Sequence, residues 1–247
     1  MKLALSLNRR VTALAVLLLP ILLSLGVWQL QRAEEKRAIE TRYMARQQLS
    51  PLTLGELDNV SDQAFLPIRL AGRFDNRHSF LLDNRTREGR PGYEVLTPLL
   101  TGDGRWVLVN RGWIKASPIR QDLPVIPPIE ARVEISGTVY IPPDEPFLLA
   151  EQTFQTVEWP LVVQAVEIDK FAALLDRALF PQVIRLRQGS AGALQVGWQP
   201  VNTQPQKHVA YAVQWFALAL GLALWFVFAN TNLWQWLNAV RRGHGGN

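Results

Sequence analysis

The residue whose place in the chain carries the most chemistry is His208. It stands immediately before an uncharged run, residues 209–228. Imidazole is a standard axial ligand to haem iron. On a helix, His208, Tyr211 and Trp215 fall at i, i+3 and i+7 and share one face. Such a face presents a nitrogen ligand beside aromatic rings able to pack on a macrocycle. An interfacial aromatic belt, in which the imidazole reaches towards water, accounts for the same spacing and is the commoner arrangement.

Four arginines, Arg85, Arg87, Arg90 and Arg111, fall near predicted strand ends and could pair with carboxylates such as porphyrin propionates. Internal pairing with Asp83 or Glu88, or a solvated loop, explains them more simply. Asp144-Glu145 reads as a solvated turn in a proline-rich loop. The other histidines, His78 and His244, lie far from His208 in sequence. There is no HExxH, no GxSxG and no glycine loop for phosphates, so no motif argues for an enzyme. The chain has no cysteine, which removes disulfides, thiolate metal sites and a cysteine nucleophile together. The formal charge of +5 comes from scattered Lys and Arg, with no nucleic-acid-binding signature, so no nucleic-acid partner is expected.

The elements that must position these residues begin with two apolar runs. Residues 11–30 carry no charge over about 30 Å of helix, the thickness of a bilayer core. Trp28-Gln29-Leu30 stands where a signal peptide would have its small-residue cleavage site, so an uncleaved anchor is expected. Residues 209–228 form the second span. Tyr211 and Trp215 near one end and Trp225, Trp234 and Trp236 towards the other resemble aromatic belts. Ala217 and Gly221 offer a small-x-x-x-small seat for the first helix. Lys2, Arg9, Arg10, Arg241 and Arg242 lie in acid-free tails, which favours both termini inside and the intervening domain outside. The expected division is a cytoplasmic tail (1–10), a transmembrane helix (11–30), a periplasmic domain (31–208), a second transmembrane helix (209–228) and a cytoplasmic tail (229–247).

Within the domain, residues 33–48 are helix formers that extend the first helix, with Ser50-Pro51 as its stop. Strands are predicted over 65–74, 80–82, 95–100, 106–110, 132–141, 183–186 and 194–198, and a helix over 168–179. Thr101-Gly102-Asp103-Gly104 reads as a hairpin turn, and residues 118–128, with four prolines, as a loop. This order predicts a membrane protein whose two helices flank an α+β domain with a mainly antiparallel sheet, a partial barrel being one closure it permits. Two phrases, Leu82-Asp83-Asn84-Arg85 and Val109-Asn110-Arg111-Gly112-Trp113, echo each other. Gly92 is expected to supply a backbone conformation that other residues resist.

Five phrases in order resemble the surfeit-locus family of cytochrome oxidase assembly factors. They are Gly26-Val27-Trp28-Gln29-Leu30-Gln31-Arg32, Leu70-Ala71-Gly72-Arg73-Phe74, Leu81-Leu82-Asp83-Asn84-Arg85 followed by Gly92-Tyr93-Glu94-Val95-Leu96-Thr97-Pro98-Leu99, Val109-Asn110-Arg111-Gly112-Trp113-Ile114, and Lys207-His208-Val209-Ala210-Tyr211-Ala212-Val213-Gln214-Trp215-Phe216. The resemblance implies a non-enzymatic assembly factor of haem–copper cytochrome c oxidase in the bacterial inner membrane, one that helps to deliver haem a to the catalytic subunit. The family's proposed haem contact falls on His208. The expected site is His208 as metal ligand, with Tyr211 and Trp215 beside the cofactor on the same helical face, and with Trp28 and Gln29 at the end of the first helix at similar depth. The implied partners are oxidase subunits, the haem a synthesis machinery and the bilayer. A structural scaffold for oxidase subunits that binds no haem is the competing expectation.

Overall fold

The computed structural model describes residues 7–119, 121–142, 157–198 and 204–232. Asp144-Glu145, Trp234, Trp236, His244 and the basic tail residues Lys2, Arg241 and Arg242 lie outside them. The chain divides into two compact units, Met1–Thr41 with Val201–Asn247, and Arg42–Pro200.

The first unit holds helix α1 (Arg9–Gln47), up to Thr41, and helix α4 (Pro205–Asn230). Both are long and apolar enough to cross a membrane. α1 is unbroken past its apolar run, as its helix-forming continuation predicts, and ends three residues before Ser50. The helices pair antiparallel through small residues. Gly26 is buried, and a Cβ there would stand 2.5 Å from the Phe216 ring. On α4 the buried residues Ala212 and Ala219 are seven apart, on one stripe. The Ala217–Gly221 seat expected from sequence is not used, since both residues are exposed and nothing approaches Gly221. The wrong pair of small residues was read because Ala212 and Ala219 keep a seven-residue rather than a four-residue spacing. At the far end Asn230 Oδ1 accepts from the Asn8 backbone N–H at 2.6 Å.

The second unit contains strands β1 (Pro67–Phe74), β2 (Phe80–Arg87), β3 (Arg90–Thr101), β4 (Trp106–Lys115), β5 (Val133–Tyr140), β6 (Leu161–Val163) and β7 (Val183–Leu186). Two short helices accompany them, α2 (Leu54–Leu57) and α3 (Ile168–Leu175). The sheet order is β1-β5-β7-β4-β3-β2-β6, and β1 also pairs with β3. That last pairing closes β1, β5, β7, β4 and β3 into a five-stranded barrel. Leu70, Leu99, Val109, Ile135, Val139, Ile184 and Leu186 fill its interior, each worth roughly 1.5–3 kcal/mol of burial. A second apolar layer covers the outer face. There Phe80, Leu96, Leu108 and Val183 pack against Phe171 and Leu175 of α3 and against β6, and the Phe80 and Phe171 rings stack at 4.0 Å.

Several expectations are corrected. Residues 194–198 do not form a closing strand; they make one bridge, Trp113 to Gln195. Arg87 holds them by donating to the Gln195 and Val196 carbonyls at 3.0 Å each. α3 ends at Leu175 rather than at 179, because Asp176 turns left-handed at φ 52° and caps it. The sequence reading also missed α2, whose Thr53 and Glu56 form a reciprocal capping box, and the three-residue strand β6.

The two echoing Asn-Arg phrases prove to be bulges. Register slips by one residue between Leu82 and Arg85 of β2. It slips again in β4, where Arg111 is the extra residue opposite Val95 and Leu96. Positive φ occurs at Asn84 (57°) and Gly112 (115°) in these bulges. Gly92 has no such conformation. Its constraint is space, since a Cβ there would lie 2.3 Å from the Trp113 ring and 2.4 Å from the Ile114 carbonyl.

Candidate functional site

The site begins with two polar side chains in apolar surroundings. α4 starts with Pro205 at its first turn, where a missing N–H costs nothing. This sets His208 one turn inside the helix. α1 brings Gln29 opposite, and His208 Nδ1 lies 2.8 Å from Gln29 Oε1. An amide oxygen only accepts, so Nδ1 carries the proton. In the neutral imidazole that puts the lone pair on Nε2. His208 is half-buried.

Tyr211 and Trp215 share the helix face predicted for them. Tyr211 is 51% exposed and Trp215 half-buried. Trp28, next to Gln29 in sequence, is exposed, with the Arg32 guanidinium 5.8 Å over its ring. Lys207 is exposed. Among the described residues no cluster of three His, Asp or Glu side chains could enclose a metal ion. A single axial imidazole needs no such cluster. Its requirements are an imidazole nitrogen not taken up by a hydrogen bond and flat apolar surface nearby; among the described residues only Nδ1 of His208 is engaged, and Tyr211 and Trp215 share its helix face.

Gln29 was placed from sequence at the depth of His208 but not as its partner. The available signal was an amide inside an apolar span, where a polar side chain requires a partner.

The four arginines do not converge. Arg111 is buried and donates to the Gly192 and Pro127 carbonyls at 2.9 and 2.8 Å. Burial pulls its pKa down to about 10. Arg87 holds the 195–196 carbonyls, Arg90 sits exposed at the β2–β3 turn, and Arg85 lies 3.7 Å from Glu94. His78 is elsewhere too. Its Nδ1 is 2.8 Å from Asp75, which also accepts from Arg177 at 2.6 Å. Burial raises the Asp75 pKa, but these two hydrogen bonds outweigh it and hold the carboxyl below its usual range.

Two apolar helices of spanning length and a closed five-stranded barrel, antiparallel except for its β4–β7 pairing, define a membrane-anchored β-barrel-domain protein. The SURF1 family model matches residues 16–220, and the chain belongs to that family. It is similar to a SURF1-like protein of Monosiga brevicollis, at 25% identity over 237 residues and 85% of each chain. A SURF1-like protein of Dictyostelium discoideum is 29% identical over 108 residues, 40% of either chain. The cytochrome oxidase assembly protein SHY1 of Saccharomyces cerevisiae is 28% identical over 102 residues, 40% of this chain and 26% of that one.

Proposed function

We propose that this chain is a membrane-anchored assembly factor for cytochrome c oxidase that holds haem a transiently through His208 and hands it to the catalytic subunit. Family membership and the name of the yeast relative support the assembly role. The single observation supporting the haem role is the 2.8 Å contact of His208 Nδ1 with Gln29. An imidazole whose Nδ1–H is already engaged offers Nε2 as the ligand, in the orientation its partner sets. Haem a would supply iron for axial ligation and a large apolar ring. Tyr211, Trp215 and Trp28 would shelter that ring, and exposure of the first and last leaves room for release.

In this reading the helices lie in the bacterial inner membrane with both termini cytoplasmic. The domain faces the periplasm, where it meets oxidase subunits and receives haem from the synthesis machinery. The protein performs no chemistry of its own. The test is to purify wild type and His208→Ala from the same haem a-producing cells and compare their visible spectra. Haem a with wild type and little with the variant is expected. Equal pigment in both removes His208 as a ligand, and no pigment in either favours a scaffold that binds no haem.

A further inference from the structure

The barrel domain carries a cavity of about 570 Å³ that the proposed haem contact does not use. It lies between the outer barrel face, at Asn110 of β4 and Arg185 of β7, and the segment 164–168 that leads into α3. Leu82, Leu96, Val166 and Val183 give it apolar walls.

Its polar side is unusual. Arg185 belongs to a strand whose other side chains are buried. Its guanidinium carbon lies 3.3 Å from the Tyr140 ring centre and 4.7 Å from that of Trp198. Both rings attract the cation, but neither neutralises it. Among the described residues Arg185 forms no ion pair, and its Nε is buried without a hydrogen-bond partner. Glu94, which also lines the cavity, is engaged by Asn110 at 2.7 Å and by Arg85 at 3.7 Å. Among the described residues the lining therefore holds two guanidinium groups, of Arg85 and Arg185, against one carboxylate, of Glu94. Burial also lowers the Arg185 pKa, opposed by Tyr140 and Glu94. Gln182 Oε1, also unpartnered at this cavity, is an acceptor and calls for a donor on the ligand rather than for its anionic group. Arg185 is half-buried, attracted by Glu94 but with no carboxylate in ion-pair reach among the described residues, and an incoming anion offsets the cost of desolvating it.

We infer that this cavity binds a small apolar carboxylate, its anionic group on the Arg185 side and its body against Leu82, Leu96 and Val183. An uncharged analogue of the same shape lacks the ion pair and binds more weakly. Arg185 supplies affinity and Glu94 limits it, because Glu94 repels the same group.

The experiment titrates the full chain in lipid nanodiscs with 2-naphthoate and, separately, with neutral 2-naphthylmethanol, by calorimetry. Wild type should bind naphthoate more tightly than the alcohol by about tenfold. Arg185→Gln should lose that preference, and Glu94→Gln should bind naphthoate more tightly than wild type while leaving the alcohol unchanged. The gain in Glu94→Gln cannot come from misfolding, so it decides the matter even if Arg185→Gln fails to fold. Absence of saturable naphthoate binding, equal affinity for acid and alcohol, or unchanged naphthoate affinity in Glu94→Gln overturns the inference.

Discussion

Gln29 and His208 stand 179 positions apart in sequence and meet at 2.8 Å, amide oxygen to Nδ1. The contact joins the two apolar helices and sets the histidine tautomer at once. Replacing Gln29 by Leu keeps the size and removes the acceptor. We expect Gln29→Leu to accumulate normally but to retain roughly tenfold less haem, the usual scale for losing a ligand's outer partner. Pigment per protein after purification measures it, and wild-type pigment would show that the tautomer is set by other means.

Gly26 is a point of close approach between the paired helices. A Leu there overlaps the Phe216 ring, which a Cβ alone already approaches to 2.5 Å. Gly26→Leu is expected to separate the helices. Cysteines at Asn8 and Asn230, whose backbone and side chain are bonded at 2.6 Å, should cross-link in the otherwise unchanged chain and fail to do so in Gly26→Leu.

Topology gives a third expectation. With both termini inside, alkaline phosphatase fused after Asn247 should be inactive and fused after Gln48 active. The reverse activities would invert the proposed orientation.

Asp75 makes the domain acid-sensitive. Its folded pKa lies below the unfolded carboxylate value of about 3.9. Its contribution is complete above that value and fades as pH falls through the lower folded one. Asp75→Asn weakens the bonds from His78 and Arg177 and should cost about 1–3 kcal/mol at pH 7. The gap between wild type and variant in urea titrations should narrow by pH 3. A gap of the same size at both pH values would assign the loss to packing instead.

Gly92→Val forces a branched side chain into the Trp113 ring and the Ile114 carbonyl. We expect a loss of about 2–4 kcal/mol and lower abundance, whereas Gly92→Ala should lose less. Normal stability with failed oxidase assembly would make this position a contact surface.

The parts legible in sequence were those governed by local periodicity. The two apolar helices, the 101–104 hairpin and β7 follow from runs of residue type, and His208 drew notice because a titratable group stood at the head of an apolar run. Gln29 is legible as lying at the depth of His208, but its bond to the imidazole is not, because that depends on a partner from the other helix. Arg185 was hidden for a related reason. In Val183-Ile184-Arg185-Leu186 a cation at an alternating position reads as a solvated face, and its partial burial depends on Tyr140 and Trp198 folding over it. The bulges at Asn84 and Arg111 left a trace, the repeated Asn-Arg, but register is a property of paired strands.

The pairing of β1 with β3 has a consequence for how partners can attach. Once the barrel is closed, most backbone ladder groups in its strands are already committed. The sheet's outer margin is β6, three residues long, beside the bulged second half of β2. Among the described strands, that short stretch is the sheet margin along which a partner could add a strand. Other recognition of the barrel's strands must read side chains, so specificity for an oxidase subunit would be carried by surface composition and could change by single substitutions without disturbing the fold.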